Sequence, residues 1–192
     1  MSYIALDCEM GGIDLKYSLL TVYFSALDDN LQPYNELYLR LKPDDGDYIV
    51  CAEALLVNKI DLVKHDVLAI PYREGRAQLG KWLREVSGEG KTKLRALGHN
   101  VGGDIRFIWE KIYDRKKWES YVSYRQLDTA TICQFLKDKG SLPKSVDGPE
   151  GVSGSLMSLV RYFGIPYDEK TLHDAKVDTL LTVESYKKLL RL

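Results

Sequence analysis

Residues 4–14 read IALDCEMGGID, and the two carboxylates inside this stretch, Asp7 and Glu9, decide how the rest of the chain is read. Ile4 and Leu6 around them, and Leu20 to Val22 beyond, have the composition of buried strands. Side chains alternate between the faces of a strand, so Asp7 and Glu9 point one way while Leu6, Cys8 and Met10 point the other. Two like charges converging in an apolar setting cost several kcal/mol or force a large pKa shift, unless a cation lies between them. A divalent metal is the economical candidate. Spacing alone is a weak signal, since Asp45 and Asp47 in KPDDGDY repeat it in what reads as a solvated turn. The apolar setting separates the first pair from the second.

Outward from this stretch, SYIALDC reads as a first strand, YSLLTVYFSAL as a second and YNELYLRLK as a third, with DDNLQP turning between the last two. That is an antiparallel meander. The period then changes: AEALLVNKI is a short helix, and YREGRAQLGKWLREV sets Ala77, Leu79, Trp82, Leu83 and Val86 along one helical face. LRALGHN is a fourth strand running into the helix GGDIRFIWEKIY, and SYRQLD is a fifth followed by the helix TATICQFLK. DKGSLPKSVDGPEGVSG is the longest loop. Ser153 or Ser155 caps the helix LMSLVRYF, Gly164 and Pro166 stop it, and DAKVDTLLTVESYKKLLRL is a long C-terminal helix. The pattern predicts an α/β fold with a mixed five-stranded sheet, strands 1–3 antiparallel and the later ones parallel to strand 1, flanked by helices. One domain over residues 1–192 is expected, because that length with 45% hydrophobic residues buries one sizeable core.

The 27 Lys and Arg nearly cancel the 28 Asp and Glu, so contact with a polyanion must come from a local patch or from bound metal. Cys8, Cys51 and Cys133 are far apart, odd in number and without a CxxC pair, which argues against a disulfide framework and a structural zinc site. A reducing, cytoplasmic setting is expected, with no membrane span and no leader.

Further acids come from two places. In GHNVGGDIRF, Asp104 follows two glycines where a helix leaves the end of a strand; in LHDAKVDTLL, Asp178 sits in the first turns of the last helix. Each has a His five residues earlier, His99 and His173 respectively. A single such His more often satisfies a backbone group at an element boundary; the repeated spacing raises a shared chemistry.

Together LDCE, HNVGGD and HDAKVD resemble the three exonuclease motifs of the DnaQ-like superfamily, in its DEDDh form, whose members include RNase T, oligoribonuclease and polymerase proofreading exonucleases. Phe107, LDTATI at 127–132 and SLMSLVRYFGI at 155–165 agree with the spacing, and the match spans residues 7 to 178. The resemblance implies a ribonuclease H-like fold and a metal-dependent 3′-to-5′ exonuclease acting on single-stranded or frayed 3′ ends of RNA or DNA. It makes Asp7, Glu9, Asp104 and Asp178 the ligands of two divalent ions, Mg²⁺ or Mn²⁺, and His173 the general base. Oxygen-only ligation suits these hard cations, and two of them clamp both oxygens of an in-line displacement. Imidazole suits the proton transfer. From the bare residues the choice between His173 and His99 is open; the mobile-reading loop GIPYDEKTLHD ahead of His173 agrees with the family assignment.

Substrate contacts are less marked. The resemblance sets Met10, Gly11 and Gly12 against the terminal nucleotide, beside the plain reading of a turn leaving the strand. Asn100 either contacts substrate or fixes its loop. Leu56, Val57 and Ile60 read first as core and second as an apolar wall for the terminal base. Lys91, Lys93 and Arg95, and the cluster from Arg115 to Lys117, are candidate backbone-binding cations or a solvated surface. A homodimer and a polymerase-type partner are both compatible with the motifs. The rivals are a catalytically inactive binding or scaffold relative, a ribonuclease H-like endonuclease, and, more weakly, a phosphatase with an aspartyl nucleophile, which Asp-Cys-Glu does not provide for.

Overall fold

The computed structural model describes residues 2–145 and 151–192; the centre of the predicted long loop lies outside them. Strands β1 (Tyr3–Met10), β2 (Leu19–Leu27) and β3 (Pro33–Lys42) form the expected antiparallel meander. Every residue of β2 is buried, because both faces of this strand are covered, and its sequence accordingly runs hydrophobic without alternation. Two short helices follow, α1 (Ala52–Asn58) and α2 (Leu62–Leu68), then β4 (Ile70–Pro71) and the long α3 (Tyr72–Val86). β5 (Arg95–Gly98) lies parallel to β1 and leads into α4 (Gly102–Lys111). After α5 (Arg115–Tyr121), β6 (Leu127–Asp128) pairs parallel to β5 and opens α6 (Thr129–Lys139). α7 (Leu156–Tyr162), capped by Ser155, and α8 (Ala175–Leu189) complete the chain.

Among the described residues the sheet has six strands in the order β4-β3-β2-β1-β5-β6, against the five expected. The extra strand is Ile70–Pro71 pairing parallel to Leu41 and Lys42. Two residues carry no period to read, and the proline is tolerated because the strand is an edge. α2 and α5, each a single run of seven residues, are likewise too short for the sequence pattern to mark. On α3, Ala77 is exposed, whereas Gly75 takes its place beneath Leu41.

One face of the sheet carries the larger core. There Ile4, Leu6 and Phe24 pack on Leu79 and Leu83 of α3 and on Ile105 and Ile108 of α4. The opposite face, with Ala5, Leu27 and Leu97, is covered by Val183 and Tyr186 of α8. Asp7 and Glu9 share Ala5's face, so α8 runs over them, and its first turns bring Asp178 down on the C-terminal half of β1.

Candidate active site

The site is built where β1 outlasts its neighbour. β5 pairs with β1 only as far as Ala5 and Leu97, so beyond that point β1 has unpaired backbone on one side. Asp104, in the first turn of α4, takes up that side: its Oδ1 accepts the Cys8 N–H at 3.1 Å. On the other side the β1–β2 ladder shifts register between Glu9 and Met10, a bulge that ends regular pairing next to the acids.

Asp7, Glu9 and Asp178 each offer an oxygen, and these atoms lie within 4.8 Å of one another. Three of the four predicted ligands thus converge. Asp104, 6% exposed, borders the cluster with one oxygen committed to Cys8, close enough for its charge to act on both β1 acids. Burial pushes the Asp7 carboxyl well above its ordinary range, with the charges of Asp104, Glu9 and Asp178 adding to it. Burial, then Asp178 and Asp104, push Glu9 up to about 9. Asp104 is raised by burial to about 7, against the Cys8 N–H that favours its charged form. Burial raises Asp178 also, and the nearby His173 acts in the opposite direction.

The donor set fits a hard divalent cation. All its atoms are carboxylate oxygens, the like charges raise one another, and Asp178 Oδ1 is buried with no hydrogen-bond donor among the described residues. A consequence for stability follows. Between the ordinary carboxylate value near about 4 and the raised native values, the folded protein holds protons that the unfolded chain has released, so stability falls with rising pH at ~1.4 kcal/mol per unit for each proton held. In chelator, Tm is therefore expected to drop between about pH 5 and about pH 9, and the Tm gain from added Mn²⁺ to grow over the same range. Scanning fluorimetry with and without chelator checks it; a chelated Tm that is flat or rises with pH would contradict it.

His173 stands at the rim. Its side chain is 44% exposed, its Nδ1 is 4.0 Å from Asp178 Oδ2, and its backbone is left-handed at φ +64°. The next residue, Asp174, caps α8 by accepting the N–H groups of Lys176 and Val177 on Oδ1. Its Oδ2 accepts the Tyr38 hydroxyl at 3.0 Å, which ties the start of α8 to β3. Burial and the Asp174 charge push that phenol up to about 12. Lys176 also reaches Glu36, to which Tyr23 donates, so two tyrosines and an ion pair fix the helix that carries Asp178. Sequence reasoning missed Tyr38 and Asp174. An Asp directly before a helical pattern is a capping signal that marks Asp174, whereas nothing local marks Tyr38.

His99 has the quieter role. The Thr129 hydroxyl donates to Gly98 O, so the 2.8 Å contact between His99 Nδ1 and Thr129 Oγ1 requires the imidazole to donate. Asn100, exposed and at φ +57°, donates its N–H to Asp128, which also caps α6. Both contacts hold the turn that delivers α4 and Asp104. His99→Ala is expected to lower stability by about 1–3 kcal/mol, with residual activity per folded molecule, as urea unfolding with parallel rate measurements will report.

Two clefts meet at the acids. One, of 630 Å³, is lined by Glu9, Ile60 and His173 together with Arg40, Lys59 and Lys170. The other, of 670 Å³, is lined by Asp7, Asp104, Met10, Asn100 and Arg106. Met10 and Asn100 therefore face a cleft, as does Ile60. Leu56 and Val57 are not core: they are 78% and 53% exposed, because α1 turns that side outward. Asn58, on the inward side, donates to Met10 O. Gly11 and Gly12 have a packing reason for being glycine. A Cβ on Gly11 would lie 2.7 Å from the Ile49 carbonyl oxygen, and one on Gly12 would enter the Tyr17 ring. Of the candidate cations, Lys93 is occupied in binding the Glu119 and Ser120 carbonyls at the end of α5.

No family model matches the chain, and no curated protein matches it in sequence. Its fold superposes on solved exonuclease structures. E. coli exonuclease I in complex with a dT13 oligonucleotide matches at TM-score 0.76 and 17% identity, over 98% of this chain and 40% of that one. An exonuclease I from Methylocaldum szegediense, moderately thermophilic, gives 0.76 and 20% over 99% and 40%. The zinc-ion-bound E. coli exonuclease I–ssDNA complex gives 0.75 and 17% over the same shares. At these identities the likeness is one of fold, the mixed sheet of ribonuclease H-like exonucleases, and this chain spans 40% of the length of those structures. Among the described residues no helix is long and apolar enough to cross a membrane.

Proposed function

We propose that the chain is a DEDDh-type, divalent-metal-dependent 3′-to-5′ exonuclease that releases nucleoside monophosphates from single-stranded or frayed 3′ ends. The observation that carries this reading is the convergence of Asp7, Glu9 and Asp178, with Asp104 bordering them, between two clefts, one of which His173 lines. The fold likeness to exonuclease I bound to oligonucleotides supports it and favours single-stranded DNA as the first substrate, with RNA as the comparison.

Asp7, Glu9, Asp104 and Asp178 would hold Mg²⁺ or Mn²⁺, which when bound lowers the pKa of water and stabilises the charge on the attacking and leaving oxygens. The chain's own groups do the rest. The Cys8 N–H fixes the rotamer of Asp104, and the Tyr38–Asp174 contact fixes the start of α8, so the carboxylates are oriented before substrate arrives. His173, exposed at the rim, takes the proton from the attacking water. Arg40, Lys59 and Lys170 offset phosphate charge along the same cleft. Matched 3′- and 5′-labelled DNA and RNA oligomers incubated with Mg²⁺ or Mn²⁺ test the reading. Release of labelled mononucleotide from the 3′ label at the start of the reaction is expected. Cleavage of a circular strand would indicate an endonuclease, and no release with either metal an inactive binding relative.

A further inference from the structure

We infer that the concavity between α3, α4 and α5 is a second nucleic-acid site, which holds the single strand upstream of the 3′ end engaged at the acids. The inference deepens the exonuclease reading and rests on it.

The concavity has a volume of 690 Å³ and presents Arg76, Arg84 and Lys117 around Trp109, Tyr113 and Tyr121. None of the three cations has an ion-pair partner among the described residues, although ion pairs form elsewhere on the surface. The one acid in the lining, Asp114, spends its Oδ1 on capping α5 through the Lys117 N–H. Arg76 is held at the rim by donating from Nε to the Ile112 carbonyl at 3.0 Å, its other N–H donors having no hydrogen-bond partner among the described residues. Arg115 lies over the Trp109 ring at 4.9 Å, and the Trp109 indole N–H is buried without an acceptor among the described residues.

Unpaired cations on a flat face would read as solvated surface. Here they surround Trp109 and Tyr121, both only partly buried, in a hollow floored by the buried Tyr113, the combination that holds single strands: phosphates on Arg and Lys, bases on aromatic faces. An acidic peptide would use the charge and leave the rings unused. Placement adds the second argument. Arg106 of α4 lines the cleft that contains Asp7 and Asp104, and Trp109, three residues on, lies on the same side of that helix. From Asp104 to Trp109 is about 7.5 Å of helix rise. The cleft and the hollow thus border the same helix, with Arg106 and Trp109 on adjoining turns.

The test is the double variant R84E/K117E, two exposed side chains that line neither cleft at the acids, assayed on a dinucleotide and on a dT dodecamer. With the dodecamer, KM is expected to rise roughly tenfold at unchanged kcat, and the slope of log affinity against log salt to fall by about 1.4. With the dinucleotide, both constants are expected to match the parent protein. An unchanged dodecamer KM, or an equal rise for both substrates, overturns the inference. If the parent protein hydrolyses neither substrate, the exonuclease reading fails on its own, and the hollow is read by anisotropy of labelled dodecamer in chelator. Binding there that the double variant loses sustains the site, whereas equal binding by both proteins, or preference for polyglutamate over dT dodecamer, refutes it.

Discussion

Asp7→Asn is expected to abolish nucleotide release, by roughly 10³-fold or more, equivalent to about 4 kcal/mol of transition-state free energy, while making the metal-free protein more stable. Both effects have one cause. Asp7 is in the cluster, half-buried, and its carboxyl is raised by desolvation and by Asp104, Glu9 and Asp178 together. An amide of the same shape keeps the packing and cannot ionise, so the fold no longer bears the cost of holding that carboxyl against its ordinary ionisation, about 1–2 kcal/mol, a typical gain when a functional site is neutralised. For a chain of this size that is roughly 2–8 °C in Tm. The same change removes a cation ligand, so the Tm gain from Mn²⁺ should shrink with the activity. Melting curves at about pH 8 in chelator and in Mn²⁺, with rates on the same preparations, separate these effects. A chelated Asp7→Asn protein that melts below the parent would show that the carboxylate cluster stabilises the fold, contrary to its burial among like charges.

The acid pair was legible in the sequence because strand alternation needs only two residues, and Asp104 and Asp178 because each begins a helix at a recognisable boundary. The meander was legible because β2 runs hydrophobic throughout and β3 alternates. What escaped depended on contacts distant in the chain. Tyr38 finds Asp174 across 136 residues, and no pattern near either predicts it. Asp104 shares its oxygen with Cys8 only because β5 stops early, an event set by where the chain must turn at His99 and Asn100. Leu56 and Val57 read as core since apolar residues in a short helix look alike whether covered or not; what lies over α1 decides, and on that side nothing among the described residues covers it. Ile70–Pro71 is too short to carry a period and exists as a strand only through β3.

His173→Ala is expected to lower kcat by about 10²–10⁴-fold, the worth of a positioned general base, with KM and the Mn²⁺-induced Tm gain retained. The geometry separates it from the carboxylates. His173 is half exposed, approaches Asp178 only to 4.0 Å and accepts no structural role from a neighbouring side chain, so its removal leaves Asp7, Glu9 and Asp178 in place. Its backbone is left-handed at φ +64°, a conformation that costs a non-glycine residue about 1 kcal/mol or more and is maintained where the surroundings over-determine it. Here those surroundings are Asp174, locked between the α8 N–H groups and Tyr38. The imidazole is thereby presented over the cleft from a fixed point, without relying on packing of its own ring. Because the ring is open to solvent, free imidazole should enter the space left by alanine and restore part of kcat. His99→Ala, whose ring is half-buried against Thr129, should show no such rescue. Activity of His173→Ala equal to the parent would remove His173 from the reaction and leave water, oriented by the carboxylates alone, as the acceptor of the proton.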